Sequence, residues 1–345
     1  MAKILVTGGC GYIGSHTIVD LVEHGFEVIS IDNLSRGHAE LLEGASTIVG
    51  KNIKNYNIDL YNLEDIRAVF EENKDIQGVI HFAAYKSVPE SVDNPLMYFK
   101  NNLGSLINVL MVCKEYNIHN FVFSSSCSVY GNTNQLPVVE STPFEAAASP
   151  YARTKQMGEE ICQDFNIANP DFNISLLRYF NPVGAHHSCL IGERNKVPEN
   201  VVPIITQTAI GIREKMTVFG HDYDTRDGSC IRDYIHVSDI AHAHTLALKK
   251  IMEDEKRGYT DVFNLGTGNG ISVFELIEAF EKAADTKLPY DIGPRRPGDV
   301  IEIYANNEKA QEELNWTPKY GINEMMETAW RWEKYLQQVK NAPLN

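Results

Sequence analysis

The chain has 345 residues, 43% of them hydrophobic and 22% charged, with a formal net charge of −15. This is ordinary globular composition, enough for one large α/β unit or two moderate domains. The acidic balance argues against unaided nucleic-acid binding, which needs a cationic surface, and no run approaches the ~20 apolar residues that span a bilayer.

In chain order, residues 3–7 read as a short strand, followed by glycines and an amphipathic stretch from Tyr12 to Glu23. A second strand covers residues 27–31 and ends at Asp32. Helical patterns at 63–72, 95–116 and 151–165 alternate with strand-like runs at 79–82, 121–125 and 174–178. Strand alternating with helix predicts a Rossmann-type, doubly wound, mostly parallel sheet over residues 1–180. Beyond Phe180 the rhythm changes to polar, Gly- and Pro-punctuated segments at 181–203 and 220–233, mixed with short helices. Residues 261–265 read as a buried strand, so the chain is expected to return to the sheet around 235–265. Trp330 and Trp332 fall on a C-terminal amphipathic helix as packing residues. The expected division is a dinucleotide-binding domain, 1–180, and a smaller mixed α/β substrate domain, 181–345, with a cleft between them. The six cysteines are scattered, form no Cys-x-x-Cys pair and read as reduced thiols, with the cytoplasm as the expected location.

Gly8, Gly11 and Gly14 lie between the first strand and first helix, where glycines permit a tight turn, close backbone approach and close helix–strand packing. The helix that follows offers unpaired N–H groups to a pyrophosphate. Asp32 stands about 20 residues further on, where a carboxylate accepts hydrogen bonds from a ribose diol. NAD is therefore favoured over NADP, although Arg36 nearby would suit a 2′-phosphate. Asp59 reads as an adenine-edge contact or as a strand-end turn residue.

Tyr151 and Lys155 are four residues apart, one helical turn on one face. A tyrosine has an ordinary pKa near 10 and becomes a useful base only if its anion is stabilised, which a neighbouring ammonium does. Ser124, Ser125 and Ser126 end a strand-like run, and ligands of parallel sheets bind beyond such ends.

Together Thr7–Gly14, Ser124–Ser126 and Tyr151–Lys155 resemble the extended short-chain dehydrogenase/reductase family over nearly the whole chain. The strings Gly11-Tyr12-Ile13-Gly14-Ser15-His16, Asp32-Asn33-Leu34, Arg178-Tyr179-Phe180-Asn181-Pro182, Arg232-Asp233-Tyr234-Ile235-His236-Val237, Asn264-Leu265-Gly266-Thr267-Gly268 and Arg295-Arg296-Pro297-Gly298-Asp299 more narrowly resemble the UDP-glucose (UDP-galactose) 4-epimerase family. The resemblance implies an isomerase that oxidises C4 of a UDP-hexose with NAD, lets the 4-keto sugar turn, and returns the hydride. It implies Tyr151 as base, Lys155 as its electrostatic partner and Ser126 as the group that holds the reacting hydroxyl. Tyr12, Ile13, Asn33, Asp59, Leu60, Phe82, Ala83, Lys86, Asn101, Ser124 and Tyr179 would line the cofactor, with Gly8, Gly11, Gly14 and Asp32. Lys86, Asn181, Asn200, Val201, Thr217, Phe219, Arg232, Arg296 and Asp299 would hold the UDP-sugar, together with Ser126 and Tyr151. A homodimer through the helices at 95–116 and 151–165 is implied as well.

Ala152 stands where the family often has glycine. By register with Asp299, the resemblance implies that Ile303 falls at the position that in this family controls access for the C2 substituent, which leaves UDP-N-acetylglucosamine open as a substrate, as UDP-glucuronate is. A 4,6-dehydratase would carry an acid pair where this chain has Cys127-Ser128. A non-catalytic NAD-binding regulator is the alternative of another class. No metal is expected: His186-His187 and His236, His242 and His244 lack a completing ligand set at familiar spacing and read as a polar loop and a half-exposed helix.

Overall fold

The computed structural model describes residues 1–194, 198–254, 256–296 and 299–341. Its strands are β1 (Lys3–Thr7), β2 (Glu27–Ile31), β3 (Asn55–Tyr56), β4 (Ile76–His81), β5 (Asn120–Ser126), β6 (Asn173–Tyr179), β7 (Asn181–Val183), β8 (Met216–Phe219), β9 (Ile231–His236), β10 (Tyr259–Leu265), β11 (Gly270–Ser272), β12 (Tyr290–Gly293) and β13 (Glu302–Ile303). Its helices are α1 (Tyr12–Glu23), α2 (Ala39–Val49), α3 (Leu63–Glu72), α4 (Val88–Asp93), α5 (Pro95–Tyr98), α6 (Gly104–Glu115), α7 (Pro150–Ala168), α8 (Val201–Ala209), α9 (Val237–Glu253), α10 (Val273–Ala284), α11 (Glu308–Leu314) and α12 (Ile322–Asn341).

Seven strands form one parallel sheet in the order β3-β2-β1-β4-β5-β6-β10. The order reverses between β1 and β4, so the crevice of this Rossmann-type sheet opens beyond their C-terminal ends. The run expected at 261–265 is the edge strand β10, paired with β6 along its length. Alternation along β1 sends Ile4 and Val6 into one apolar layer with Ile18, Leu21, Ile240 and Ala247, and Leu5 into the other with Val109, Phe121, Phe123 and Cys162. A third apolar cluster joins Val202, Ile205, Met216, Val218, Phe280 and Met326 in the later part of the chain.

The expected helix at 95–116 is broken into pieces. Asn94 precedes a proline and sits at φ −131°, ψ 59°, outside the helical region, and a π-turn occupies Phe99–Leu103 before α6 begins. Within that turn Asn102 exchanges hydrogen bonds with the backbone of Tyr85, at 2.8 and 3.0 Å. Residues 181–183 and 231–233, expected in irregular polar segments, belong to a second sheet in the order β11-β9-β13, with β7 on β9. Its hub is Asp233, fully buried, whose carboxylate accepts from the backbone N–H groups of Thr267, Gly268 and Ala305. All six cysteines are free. Among the described residues no helix is long and apolar enough to cross a membrane.

Candidate active site

A cleft of about 760 Å³ runs along the C-terminal ends of β1, β2 and β4. The chain leaves β1 through Gly8, held at φ +73° with its N–H on the Ile31 carbonyl, and α1 starts at Tyr12. A Cβ on Gly8 would stand 2.9 Å from the Ala83 nitrogen, and one on Gly14 would press into the Gly8 carbonyl. This floor of bare backbone, capped by first-turn N–H groups that no intrahelical acceptor satisfies, suits a dinucleotide pyrophosphate.

Asp32 closes the far side. Its oxygens accept from Cys10 N at 3.0 Å and Leu34 N at 2.9 Å, and burial pushes its carboxyl upward. Arg36 lines the cleft and is engaged within it: it bonds Glu90 at 2.5 Å and lies 5.1 Å from the Tyr85 ring, two residues that line the cleft as well. Asp59 accepts from Asn33 Nδ2 at 3.2 Å and from Tyr61 N at 2.9 Å, so it is both a turn residue and part of the cleft lining. Gly8, Gly11, Tyr12, Ile13, Gly14, Asp32, Asn33, Asp59, Leu60, Phe82, Ala83, Lys86, Asn101, Tyr151, Lys155 and Tyr179 all line this one cleft. Ser124 stands just behind it, its carbonyl 2.6 Å from Lys155 Nζ.

Helix α7 begins where it does because Ser149 caps it, accepting from Ala152 N at 3.1 Å, with Pro150 in the first turn. That start places Tyr151 on the lining of the cleft. The ring is 8% exposed, and burial raises its phenol well above its ordinary value while the Ser126 hydroxyl pulls the other way. Burial lowers Lys155 to about 8, opposed by the charge of Glu159. The Lys155 ammonium is directed at the Ser124 carbonyl, 5.0 Å from the Phe123 ring centroid. The extra methyl of Ala152 is buried on α7 without disturbing the cap.

The substrate-side residues fall into two groups. Asn200, the N-cap residue of α8 beside Val201, lines the cleft and donates to Glu193 Oε1 at 2.7 Å, which also lies 3.2 Å from Lys86 Nζ. Arg232, Arg296, Asp299 and Phe219 gather elsewhere: Arg296 holds Asp299 through two bonds of 2.7 and 3.1 Å, Arg232 Nη2 is 3.9 Å from Asp299, and the Arg296 guanidinium is 5.6 Å from the Phe219 ring. Thr217 shares the exposed face of β8 with Phe219, and Asn181 opens β7, half-buried. Pro297 and Gly298 of the expected motif lie outside the described residues. Ile303 is 5% exposed and packs with Tyr130, Val138, Phe180 and Ala305. Sequence reading missed Glu193, whose partner Lys86 is 107 residues away, and Tyr85 and Glu90, which carried no motif.

The histidines depart from expectation, since His236 and His244 are buried, not half-exposed. His242 meets Asp20 at 3.2 Å, and His24 lies 3.3 Å from the same carboxylate, a set of three metal-capable groups that spacing did not reveal. His24 Nδ1 also lies 2.7 Å from the Asp20 carbonyl, which only accepts, so that nitrogen carries a proton. The group thus closes on itself as a hydrogen-bonded link between α1 and α9.

A family model described as GDP-mannose 4,6 dehydratase matches residues 5–329. A bifunctional UDP-glucose 4-epimerase and UDP-xylose 4-epimerase of Pisum sativum is 48% identical over 337 residues, 96% of this chain and 95% of that protein. The chain belongs to the UDP-glucose 4-epimerase family. A solved UDP-glucose 4-epimerase of Stenotrophomonas maltophila, with bound NAD and formylated UDP-arabinopyranose, superposes with a TM-score of 0.94 at 40% identity, covering 98% of this chain and all of the other. The enzyme of Bifidobacterium longum, in complex with NAD+ and UDP, gives 0.92 at 44% identity over 98% of each chain. The dehydratase description attaches to the shared scaffold: after β5 this chain has Cys127-Ser128, with no carboxylate to remove water.

Proposed function

We propose that this protein interconverts UDP-galactose and UDP-glucose by NAD-dependent epimerisation at C4. The observation that carries the reading is that Tyr151 and Lys155, one turn apart on α7, line the same glycine-floored cleft as Asp32, in a chain of this family. Bound NAD supplies the chemistry of accepting the C4 hydride and giving it back. Gly8, Gly11, Gly14 and the start of α1 hold its pyrophosphate, and Asp32 a ribose. Tyr151 takes the proton of the C4 hydroxyl and later returns it. Ser126 orients that hydroxyl, and the Lys155 ammonium favours the phenolate against the burial that opposes it. Arg232 and Arg296 suit the UDP diphosphate, because a guanidinium fork donates two parallel hydrogen bonds. Holding the nucleotide firmly and the hexose loosely lets the 4-keto sugar present either face.

Residues 1–180 together with about 235–265 form the nucleotide-binding part in this reading, and the remainder the sugar-nucleotide part. In this reading, as the family resemblance implies, two copies associate through α6 and α7, and Ile107 and Met111, one turn apart on α6 and each 42% exposed, offer that contact apolar surface. Six free thiols suit the reducing cytoplasm.

The test is incubation with UDP-galactose without added cofactor, followed by NMR of the anomeric protons. Appearance of UDP-glucose to a stable mixture supports epimerisation with resident NAD. Unchanged UDP-galactose, even with NAD supplied, overturns it.

A further inference from the structure

Three consecutive serines at the end of β5 meet three different partners. Ser124 gives its carbonyl to Lys155 Nζ, Ser126 stands by Tyr151, and Ser125 between them donates its hydroxyl to Glu159 Oε1 at 2.5 Å. Glu159 lies on α7 one turn beyond Lys155 and two beyond Tyr151, on the same side of the helix. Its carboxylate is fully buried and accepts from Arg178 Nε at 2.9 Å and Nη2 at 2.7 Å. Arg178 in turn donates through Nη1 to the Tyr130 hydroxyl and the Glu140 carbonyl, both at 2.9 Å, and its guanidinium is 5.0 Å from the Tyr130 and Phe144 rings. The Tyr130 hydroxyl passes the chain on to Asn264 Oδ1 at 2.6 Å. Ser125, Arg178 and Asn264 are register partners on β5, β6 and β10. A buried, charge-assisted chain therefore crosses three strands directly beneath the turns of α7 that present Tyr151 and Lys155.

A buried ion pair does little for net stability, because desolvation offsets the attraction, and apolar residues of equal volume often do as well. What an apolar pair cannot supply is direction, which the two-point Arg–carboxylate contact does. We propose that Glu159 is a positioning residue for the epimerisation: clamped by Arg178, it holds Ser125 and so fixes the register of α7 on the end of β5, keeping Tyr151 against Ser126 and Lys155 against Ser124. The proposal rests on the roles given above to Tyr151, Lys155 and Ser126. Glu159 also carries charge to the site. The titratable groups facing Lys155 are Glu159 and Cys162 on its own helix, with Tyr151 one turn back, His81 from β4 and His244 from α9. Burial holds both histidines neutral and the Cys162 thiol protonated, so Glu159 is the anion that favours the ammonium.

The test compares wild type, Glu159→Gln and Glu159→Gln/Arg178→Met as full-length protein with resident NAD, measuring kcat, KM and the pH profile on UDP-galactose, with Tm as the folding check. Glu159→Gln is expected to lower kcat on the order of 10²-fold, as a misplacement of about 1 Å does, with KM unchanged. Its alkaline limb moves to lower pH, since the lost carboxylate and the unpaired Arg178 both disfavour the Lys155 ammonium. The double variant leaves no unpaired charge inside, so it keeps the test alive if the single one fails to fold; its limb returns toward wild type while kcat stays low. A folded variant with wild-type kcat overturns the proposal, as does a lowered Tm with kcat and limb both unchanged. A wild type that leaves UDP-galactose untouched fails the epimerase reading and this proposal with it, whereas active wild type with unaltered variants fails this proposal alone.

Discussion

Gly8→Ala is the substitution whose cost the structure resolves best. Two terms act on it. The backbone at φ +73° is left-handed, which costs a residue with a Cβ about 1–2 kcal/mol. The new methyl would also stand 2.9 Å from Ala83 N, 3.1 Å from Ala83 Cα and 3.3 Å from the Phe82 carbonyl carbon, all backbone that cannot swing aside. Overpacking of that kind adds about 1–3 kcal/mol. Gly25 is the control, with φ +88° and nothing within 4 Å of its added Cβ, so Gly25→Ala carries the first term alone. At about 2.1 cal/mol/K of unfolding entropy per residue, a chain of 345 residues shifts roughly 1.4 °C per kcal/mol, so Gly8→Ala should melt about 1–4 °C below Gly25→Ala. The relaxation available is a parting of the glycine loop from the end of β4, which spoils the cofactor floor. If about 1.4 kcal/mol of the strain falls on the bound state, NAD affinity drops tenfold. Calorimetry, with the NAD content of purified protein, reads both effects. Equal melting temperatures and equal NAD content for the two variants would refute the reasoning.

Tyr151→Phe keeps the ring and removes the proton carrier, so kcat should fall by about 10²–10⁴-fold with NAD still bound; retained turnover would unseat Tyr151 as the base. Five histidines (His16, His81, His186, His236 and His244) are held neutral by burial, at about 3 to 4 against an ordinary 6.5. Their folded-state pKa values are depressed, so below 6.5 the unfolded chain binds more protons and stability falls as pH drops, by about 1.4 kcal/mol per pH unit for each. Urea midpoints should therefore decline steeply from pH 7 to pH 5, and a flat profile would contradict the burial argument. Ile107→Asp with Met111→Asp should halve the mass seen by light scattering while leaving the far-UV spectrum intact; an unchanged mass would rule out α6 as the contact.

The sequence by itself determined what lies within a strand or a helical turn. Hydrophobic period placed six of the seven strands of the large sheet to within a few residues, and β2 and α3 end to end, but gave no strand at the two-residue β3. The glycine loop followed by Asp32 picked out residues that line one cleft, and the four-residue interval from Tyr151 to Lys155 put both groups on its lining. Tertiary structure decided which distant residues meet. Asn94-Pro95 and the π-turn broke a helix that periodicity read as continuous, because the amide of Asn102 is satisfied by the backbone of Tyr85. Glu193 against Lys86, Asp20 against His242 and Glu159 against Arg178 carry no local signature, since charged residues are equally at home on any solvated face. Their roles follow from strand order and helix packing, which bring together side chains that the chain itself holds far apart.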